Sequence, residues 1–263
     1  MNATTSFRQA IVEVPLHSDN VLLRRMPPSV LHSVLSHGRH VHLTRDVSLY
    51  QEGRPIPAVY FPENAIITRD RTFANGQSVQ IATVGREGIL GLECVLGFDT
   101  SILTAACHTP GSAFRIAVED FQLLFSKHIE LQQACLHYSQ GLINQLSVSR
   151  ACSLEHSIEQ RSALWLLLTS LRCDRNQFFL TQDSLAQILG VSRTRVSIAT
   201  SKFARKELIK FSRGHITILD RDNLERTSCE CFDTIAGMFA QGQPELRTPK
   251  QVFENLPQVQ QSH

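Results

Sequence analysis

The chain has 263 residues, of which 42% are hydrophobic and 19% are charged, and its formal net charge is +2. It is long enough for two ordinary cores, and no stretch approaches the roughly 18 apolar residues of a membrane span. Residues 1–20 lack the pattern of a secretory signal, and seven cysteines without a CxxC pair favour reduced thiols. We therefore expect a cytoplasmic protein with no membrane partner.

The N-terminal part of the chain reads as a tail over residues 1–20 followed by a small β-rich domain over residues 21–118. Leu22 to Gly38 predicts a Pro-started helix that ends at Gly38. Asn75-Gly76 predicts a hairpin with a type I′ turn. Five short β-like runs are separated by Gly, Pro and Asn: His40–Leu43, Val47–Gln51, Ala58–Phe61, Ala65–Phe73 and Ser78–Val84. They predict an antiparallel roll or barrel.

A long connecting helix is predicted over residues 119–152. Residues 118–154 contain no Pro and one Gly, and 20 helical residues would span about 30 Å, enough to join two domains. Apolar residues at heptad-like steps would allow this helix to pair with a second copy. They are Leu131, Cys135, Tyr138 and Leu142. An ordinary intramolecular helix fits the same pattern.

The clearest pattern is a winged helix-turn-helix within a predicted domain of residues 153–232. Thr181 can cap a short helix, Gly190 can end it, and Ser192 can cap a second helix. In the second helix, Val196 and Phe203 fall on one face together with Ala199, which should pack inward. The segment after Leu208 carries a Gly at its turn and alternating apolar residues, as a β-hairpin wing would.

The opposite face of the second helix is basic and rich in hydroxyl groups, which suits contact with DNA. The start of such a helix meets base edges in helix-turn-helix proteins, and arginine pairs bidentately with guanine. Ile198 would touch a thymine methyl group or simply lie exposed. The predicted DNA-binding residues are Thr181, Ser192, Arg193, Thr194, Arg195, Ser197, Ile198, Ser201, Lys202, Lys210 and Arg213.

Charge supports this prediction. Residues 181–221 contain eight Lys and Arg against three Asp and Glu, so the rest of the chain is net acidic. Positive charge concentrated on one module is typical of nucleic-acid binding, because neutralising phosphates releases counterions.

These residues resemble the Crp/Fnr family of bacterial transcription regulators. The resemblance is carried by LTQDSLAQILGVSRTRVS, from Leu180, and by ELIKFSRGHITILDRDNLE, from Glu207. It implies an α+β protein: an N-terminal β-roll related to cyclic-nucleotide-binding domains, a long dimerisation helix, and a C-terminal winged helix-turn-helix. It also implies double-stranded DNA, a second copy of the chain and RNA polymerase as partners. Thr194 stands where Glu is common and Ile198 where Arg is common, so familiar half-site preferences do not transfer.

The sensor half departs from the cyclic-nucleotide binders of the family. The segment from Gly85 to Glu93 stands where they carry a phosphate-cradling loop, which makes a candidate effector loop of Gly85, Glu87, Gly88, Gly91 and Glu93. The alternative is that these glycines only shape turns. The expected arginine about ten residues further on is absent, since residues 98–106 contain no Arg or Lys. We therefore expect no cofactor, no cyclic nucleotide and, at most, an unidentified small-molecule effector.

Other site chemistry is weakly indicated. His40 and His42 share one strand face but lack a third ligand with convincing spacing, and Cys229-Glu-Cys231 is a weak signal, so we predict no metal site. No catalytic motif is present, and we do not expect an enzyme. Residues 233–263 read as a C-terminal tail, which has a last helical turn near residues 234–239 and is loose beyond it. The alternative function is a small-molecule or redox sensor whose DNA-binding half has weak or no sequence specificity.

Overall fold

The computed structural model describes residues 17–240 and confirms the predicted α+β architecture. A β-roll, a long helix and a helix-turn-helix follow one another along the chain. The helices are α1 Val21–Arg24, α2 Pro28–Ser36, α3 Val118–Lys127, α4 Ile129–Glu155, α5 Ile158–Cys173, α6 Gln182–Leu189, α7 Arg193–Arg205, α8 Arg221–Thr227 and α9 Cys231–Ala240. Within residues 17–240, no helix has the length and apolar character that crossing a membrane would require.

The roll is built from two antiparallel sheets. One has strand order β1-β7-β3 and the other β2-β6-β4-β5. The strands are β1 Gly38–Leu43, β2 Ser48–Tyr50, β3 Ala58–Pro62, β4 Ile66–Thr72, β5 Ser78–Val84, β6 Thr104–Thr109 and β7 Gly111–Ala117. All five predicted runs are confirmed as strands. Strands β6 and β7 were not predicted. Four of their seven buried residues are Ala, Gly or Cys.

Two local predictions in the roll are corrected. The hairpin at Asn75-Gly76 forms, but only Gly76 has a positive φ, of 79°, and its NH bonds Phe73 O at 2.9 Å. The connection is therefore a three-residue loop closed by a left-handed glycine, not a type I′ turn. Gly38 does not end α2 but begins β1, opposite Ile116, where an added Cβ would collide with the Phe114 ring.

The described end of the predicted N-terminal tail is fixed to the roll. Ser18 donates to Glu63 at 2.9 Å, and Asn20 donates to Pro62 O at 2.8 Å and to Gly88 O at 2.9 Å. Asn20 also caps α1 by accepting from the NH of Leu22. Residues 17–20 therefore belong to the folded roll, and the rest of the predicted tail lies outside the described residues.

Helix α4 is the long connecting helix that the sequence predicts. Its 27 residues correspond to about 40 Å, and an extended residue, His128, separates it from α3. One side of α4 buries Leu131, Cys135 and Tyr138 in a core shared with the β1-β7-β3 sheet and with α1 to α3.

The C-terminal domain follows α4, and Ser157 and Gln160 form a capping box at the start of α5. Its small sheet has the order β8-β10-β9, from Gln177–Phe179, His215–Ile218 and Ile209–Ser212. Residues 233–240 were assigned to the C-terminal tail, with a last helical turn expected near residues 234–239. They lie in α9, where Ile235 is buried in the core of this domain. Residues 241–263 lie outside the described residues.

The two domains meet at Arg172, a buried cation near the end of α5. Its Nε donates to Glu87 Oε1 at 3.0 Å, its Nη2 to Gln145 Oε1 at 2.9 Å, and its Nη1 to Thr83 Oγ1. These partners belong to the roll and to α4, so one guanidinium joins three parts of the molecule. Arg86 continues the contact by donating its NH to Arg172 O at 3.1 Å and by pairing with Asp174.

Replacing Arg172 by Met should lower the free energy of unfolding by about 3–5 kcal/mol, because the change leaves the Glu87 carboxylate buried and unpaired. Thermal unfolding measured by calorimetry checks this. The exposed neighbour Arg175, changed to Met, is the matched control and should shift stability by less than about 0.5 kcal/mol. Adding Glu87→Gln to Arg172→Met should recover part of the loss. Strict additivity of the two substitutions would contradict this account of the ion pair.

Candidate nucleic-acid interface

The helix-turn-helix is formed by α6 and α7 joined through Gly190, Val191 and Ser192. Thr181 Oγ1 accepts from the NH of Ser184 at 3.0 Å, which confirms the predicted cap of α6. Gly190 ends α6 with a φ of 65°, in the left-handed region as predicted. Ser192 occupies the cap position of α7, but its side chain makes no capping hydrogen bond. Its hydroxyl is therefore exposed at the start of α7.

The inward face of α7 is the predicted one. Val196, Ala199 and Phe203 are buried in the core of the domain. Thr200 joins them, and its Oγ1 satisfies itself by donating to Val196 O at 3.0 Å and by accepting from Gln182 Nε2 at 3.2 Å. These contacts fix the rotation of α7 about its axis, and hence which residues it presents to solvent.

The outward face of α7 carries the predicted recognition residues. Ile198 is 56% exposed. Ser197 is only half-buried, and Thr181 is likewise half-buried at the start of α6. The exposed members are Ser192, Arg193, Thr194, Arg195, Ile198, Ser201 and Lys202. The structure therefore brings the predicted recognition residues together on one accessible surface.

Two of the cations on this surface have acidic partners. Arg193 Nη1 lies 3.5 Å from Asp183 Oδ2, and both side chains are more than 60% exposed. Such a pair contributes little, so Arg193 is available to a stronger anionic or hydrogen-bonding partner. Lys202 Nζ donates to Glu159 Oε2 at 2.7 Å across to α5. The sequence did not reveal this partner, which holds Lys202 at the side of the interface.

The wing is a tight hairpin between β9 and β10. Arg213 and Gly214 both have positive φ, 49° and 78°, and Ser212 pairs with His215, as in a two-residue type I′ turn. Arginine rarely adopts this conformation, which costs about 1–2 kcal/mol for a residue with a Cβ. Lys210 and Arg213 are exposed, as the prediction that they reach phosphate requires.

Residues 160–227, which span α5 to α8, match the family model of the Crp-like helix-turn-helix domain. The chain carries a Crp-like helix-turn-helix domain. No curated protein matches it by sequence.

Solved structures show that the likeness in fold extends beyond this domain, over 73–79% of the chain. FixK2 from Bradyrhizobium japonicum is 16% identical, with a TM-score of 0.61 over 73% of this chain and 98% of that chain. A Crp/Fnr-family regulator from Eubacterium rectale is 15% identical, with a TM-score of 0.59 over 79% and 99%. CLP of Xanthomonas campestris, a c-di-GMP responsive global regulator, is 12% identical, with a TM-score of 0.54 over 73% and 99%. The resemblance to Crp/Fnr regulators is confirmed, and the chain has their fold.

In this Crp/Fnr fold, the first half of the candidate effector loop contacts the DNA-binding domain. Gly85 lies against the Arg172 side chain, and Glu87 accepts from both the NH of Gly85 and Arg172. Gly88 lies against the Tyr138 ring, leaving no room for a Cβ. Burial raises the pKa of the Tyr138 phenol, which therefore stays protonated. This half of the loop forms an interdomain contact, in which Glu87 Oε1 and Gly85 are engaged by Arg172 and Gly88 lies against Tyr138.

The second half of the loop lies within the roll. Gly91 has a φ of 89° and precedes a short 3-10 helix, Leu92–Val95. Glu93 pairs with Arg69 and accepts from Ser101 Oγ at 3.2 Å. The side chains of Arg69 and Glu93 are 14% and 20% exposed. The carboxylate expected to meet an effector is therefore bound by the protein itself.

The residues predicted to form the dimer interface pack mainly within their own chain. Leu131, Cys135 and Tyr138 are buried in their own subunit, and Leu142 is half-buried at the edge of the same face. Helical periodicity cannot tell which of two apolar stripes packs inside the chain. The opposite side of α4 carries a second apolar stripe, whose residues are 56–71% exposed: Ile129, Leu136, Ile143 and Leu154. Seven-residue steps separate the first three, which keeps them on one side of the helix.

Proposed function

We propose that this protein is a sequence-specific DNA-binding transcription regulator of Crp/Fnr type that acts as a homodimer, with RNA polymerase as a further partner. One observation carries the proposal: Arg193 and Arg195 lie exposed in the first turn of α7, beside the outward-facing Thr194 and Ile198. In helix-turn-helix proteins this turn enters the major groove. The exposed cations of the wing, Lys210 and Arg213, lie where they would contact the flanking phosphates.

Substituting Ala for Arg193 or Arg195 should weaken binding to a selected operator by about 1–3 kcal/mol and relax one position of the site, because a bidentate base contact is lost. Selection of binding sites from a random library, followed by affinity measurements, checks this.

The matched control for the arginine substitutions is Lys210→Ala in the wing. Losing one phosphate contact should weaken all sequences alike and lower the salt slope by about one. An operator affinity that neither arginine substitution alters would refute the docking. Measuring across salt also separates the regulator from a sensor whose DNA-binding half lacks specificity. Only the regulator keeps a large sequence preference once phosphate contacts are screened.

We propose that two subunits pair through the exposed stripe of α4. Ile129, Leu136 and Ile143 lie at heptad spacing and are 56–58% exposed, so pairing would remove large apolar side chains from water. A two-fold protein would also match a two-fold operator.

The double substitution Leu136→Asp with Ile143→Asp should convert the dimer to a monomer, because pairing would bury like charges close together. Native mass spectrometry or sedimentation checks the subunit count. Leu123→Asp, at a 45% exposed position on α3 outside this stripe, is the control and should leave the dimer intact. A wild-type monomer, or a dimer that survives both substitutions, would contradict the proposed seam.

We propose further that the sensor domain responds to something other than cyclic AMP. A buried cyclic phosphate needs a cationic partner, and residues 98–106 offer none. Three arginines from elsewhere in the roll could in principle substitute. Each is already paired: Arg69 with Glu93, Arg71 with Glu52, and Arg86 with Asp174.

Titration calorimetry with cyclic AMP and cyclic GMP should therefore detect no binding at micromolar concentrations, because losing one charge-assisted bond alone costs about 1.5–3 kcal/mol. A micromolar dissociation constant that Glu93→Gln abolishes would show that Glu93 exchanges Arg69 for the ligand.

A further inference from the structure

Four potential metal ligands meet where the connecting helix joins the end of the DNA-binding domain. Cys152 lies in the last turn of α4, and His156 follows as its C-cap. Cys229 and Cys231 lie between α8 and the first residue of α9. The four ligand atoms all lie within 4.8 Å of one another. The sequence did not predict this cluster because its halves lie 77 residues apart.

The spacing suits a single tetrahedral ion. Cys152 Sγ lies 3.6 Å from Cys229 Sγ, and Cys231 Sγ lies 3.7 Å from His156 Nδ1. With Zn–S bonds of about 2.3 Å and Zn–N bonds of about 2.0 Å, tetrahedral ligands lie about 3.5–3.8 Å apart. The pairs are thus already near ligand spacing. The sulfur atoms are also too far apart to be a disulfide, whose S–S bond is about 2.05 Å.

A second, independent contact orients the histidine. His156 Nε2 lies 3.2 Å from Glu230 Oε1, while Nδ1 faces Cys231. A hydrogen bond from Nε2–H to this carboxylate fixes the tautomer that leaves the Nδ1 lone pair directed at the cluster. Metal-bound histidines almost always carry such a carboxylate or carbonyl partner on the other ring nitrogen.

We propose that Cys152, His156, Cys229 and Cys231 form a Cys3His site that binds Zn²⁺. The three cysteines are buried and all four positions of the tetrahedron come from the protein, which is the composition of a closed structural site. Binding converts the three thiols to thiolates and releases their protons to solvent, so no redox partner is required. An iron–sulfur cluster fits less well, since its ligands bind different iron atoms and lie further apart.

The location gives the site a mechanical role. Cys152 and His156 end the helix that would carry the dimer interface. Cys231 begins α9, which packs against α4 and α5, and Cys229 lies two residues before it. A bound ion would hold these segments together at the boundary between the two halves of the molecule. The prediction of metal binding stands on the cluster alone, whereas any effect on DNA affinity rests on the proposed function.

Titration of the reduced full-length protein with Co²⁺ tests the site directly. We expect one ion per chain, a thiolate-to-cobalt charge-transfer band, the visible d–d bands of tetrahedral Co²⁺, and displacement of these bands by Zn²⁺. A wild-type protein that gives no thiolate charge-transfer band overturns the proposal, whatever the variants do. An iron–sulfur absorption spectrum of the purified protein would also overturn it. So would a disulfide within the cluster if the protein, once reduced, still bound no Co²⁺.

Substitutions then assign the ligands. Cys229→Ser should abolish the charge-transfer band, and Glu230→Gln should weaken affinity about 10- to 100-fold while keeping the band. Cys173→Ser is the matched control, a buried thiol of the same domain outside the cluster, and should bind as wild type. Equal losses in Cys173→Ser and Cys229→Ser would refute the assignment.

Thermal stability gives a readout that does not need a spectrum. Added Zn²⁺ should raise the Tm of wild type and of Cys173→Ser but not that of Cys229→Ser, because a ligand that binds only the folded state stabilises it. DNA affinity measured with and without Zn²⁺ then tests the coupling. Failure to bind DNA would contradict the proposed function without affecting the metal site. Failure to bind Co²⁺ would contradict the metal site without affecting the proposed function.

Discussion

The relation between the two halves of this molecule depends on one buried guanidinium. Arg172 is a charge removed from water, so it must find its hydrogen-bond partners within the protein. It finds them in Thr83 and Glu87 of the roll and in Gln145 of the connecting helix. Because an arginine donates in a fixed planar fork, few dockings of the DNA-binding domain satisfy all three partners together. The ion pair thus specifies an arrangement more than it adds stability.

This constraint also changes what the glycine-rich loop can do. In the sequence it stands at a possible effector site, yet in the structure Glu87 is held by the domain that carries the recognition helix. Any displacement of the loop would therefore reach the end of α5 directly, through Gly85, Arg86 and Glu87. The other end of the loop is held inside the roll by Arg69. The two ends of the loop are thus held by ion pairs, one to the helix-turn-helix domain and one within the roll.

The features that sequence predicted well are those with local causes. Thr181 and Gly190 cap a helix through neighbours a few residues away, and the inward face of α7 follows from helical periodicity, so the helix-turn-helix needed no tertiary information. The strand at 104–109 was missed because small side chains give weak β signals. Which apolar stripe of α4 packs inside the chain could not be predicted, because α4 has two of them. The pairing of Cys229 with Cys152 and of Arg172 with Glu87 could not be predicted. The paired residues lie 77 and 85 positions apart in the sequence.

The last described helix has a consequence for the order in which the protein can form during synthesis. Ile235 in α9 completes the core of the DNA-binding domain, and the same helix packs on α4, whose residues leave the ribosome much earlier. Domains generally fold as units while the chain is being made. The roll is complete in sequence by residue 117, but the core that supports the recognition helix is complete only once α9 has emerged. A nascent chain in which α7 has already left the ribosome therefore still lacks α9, the helix that completes the hydrophobic core on which α7 packs.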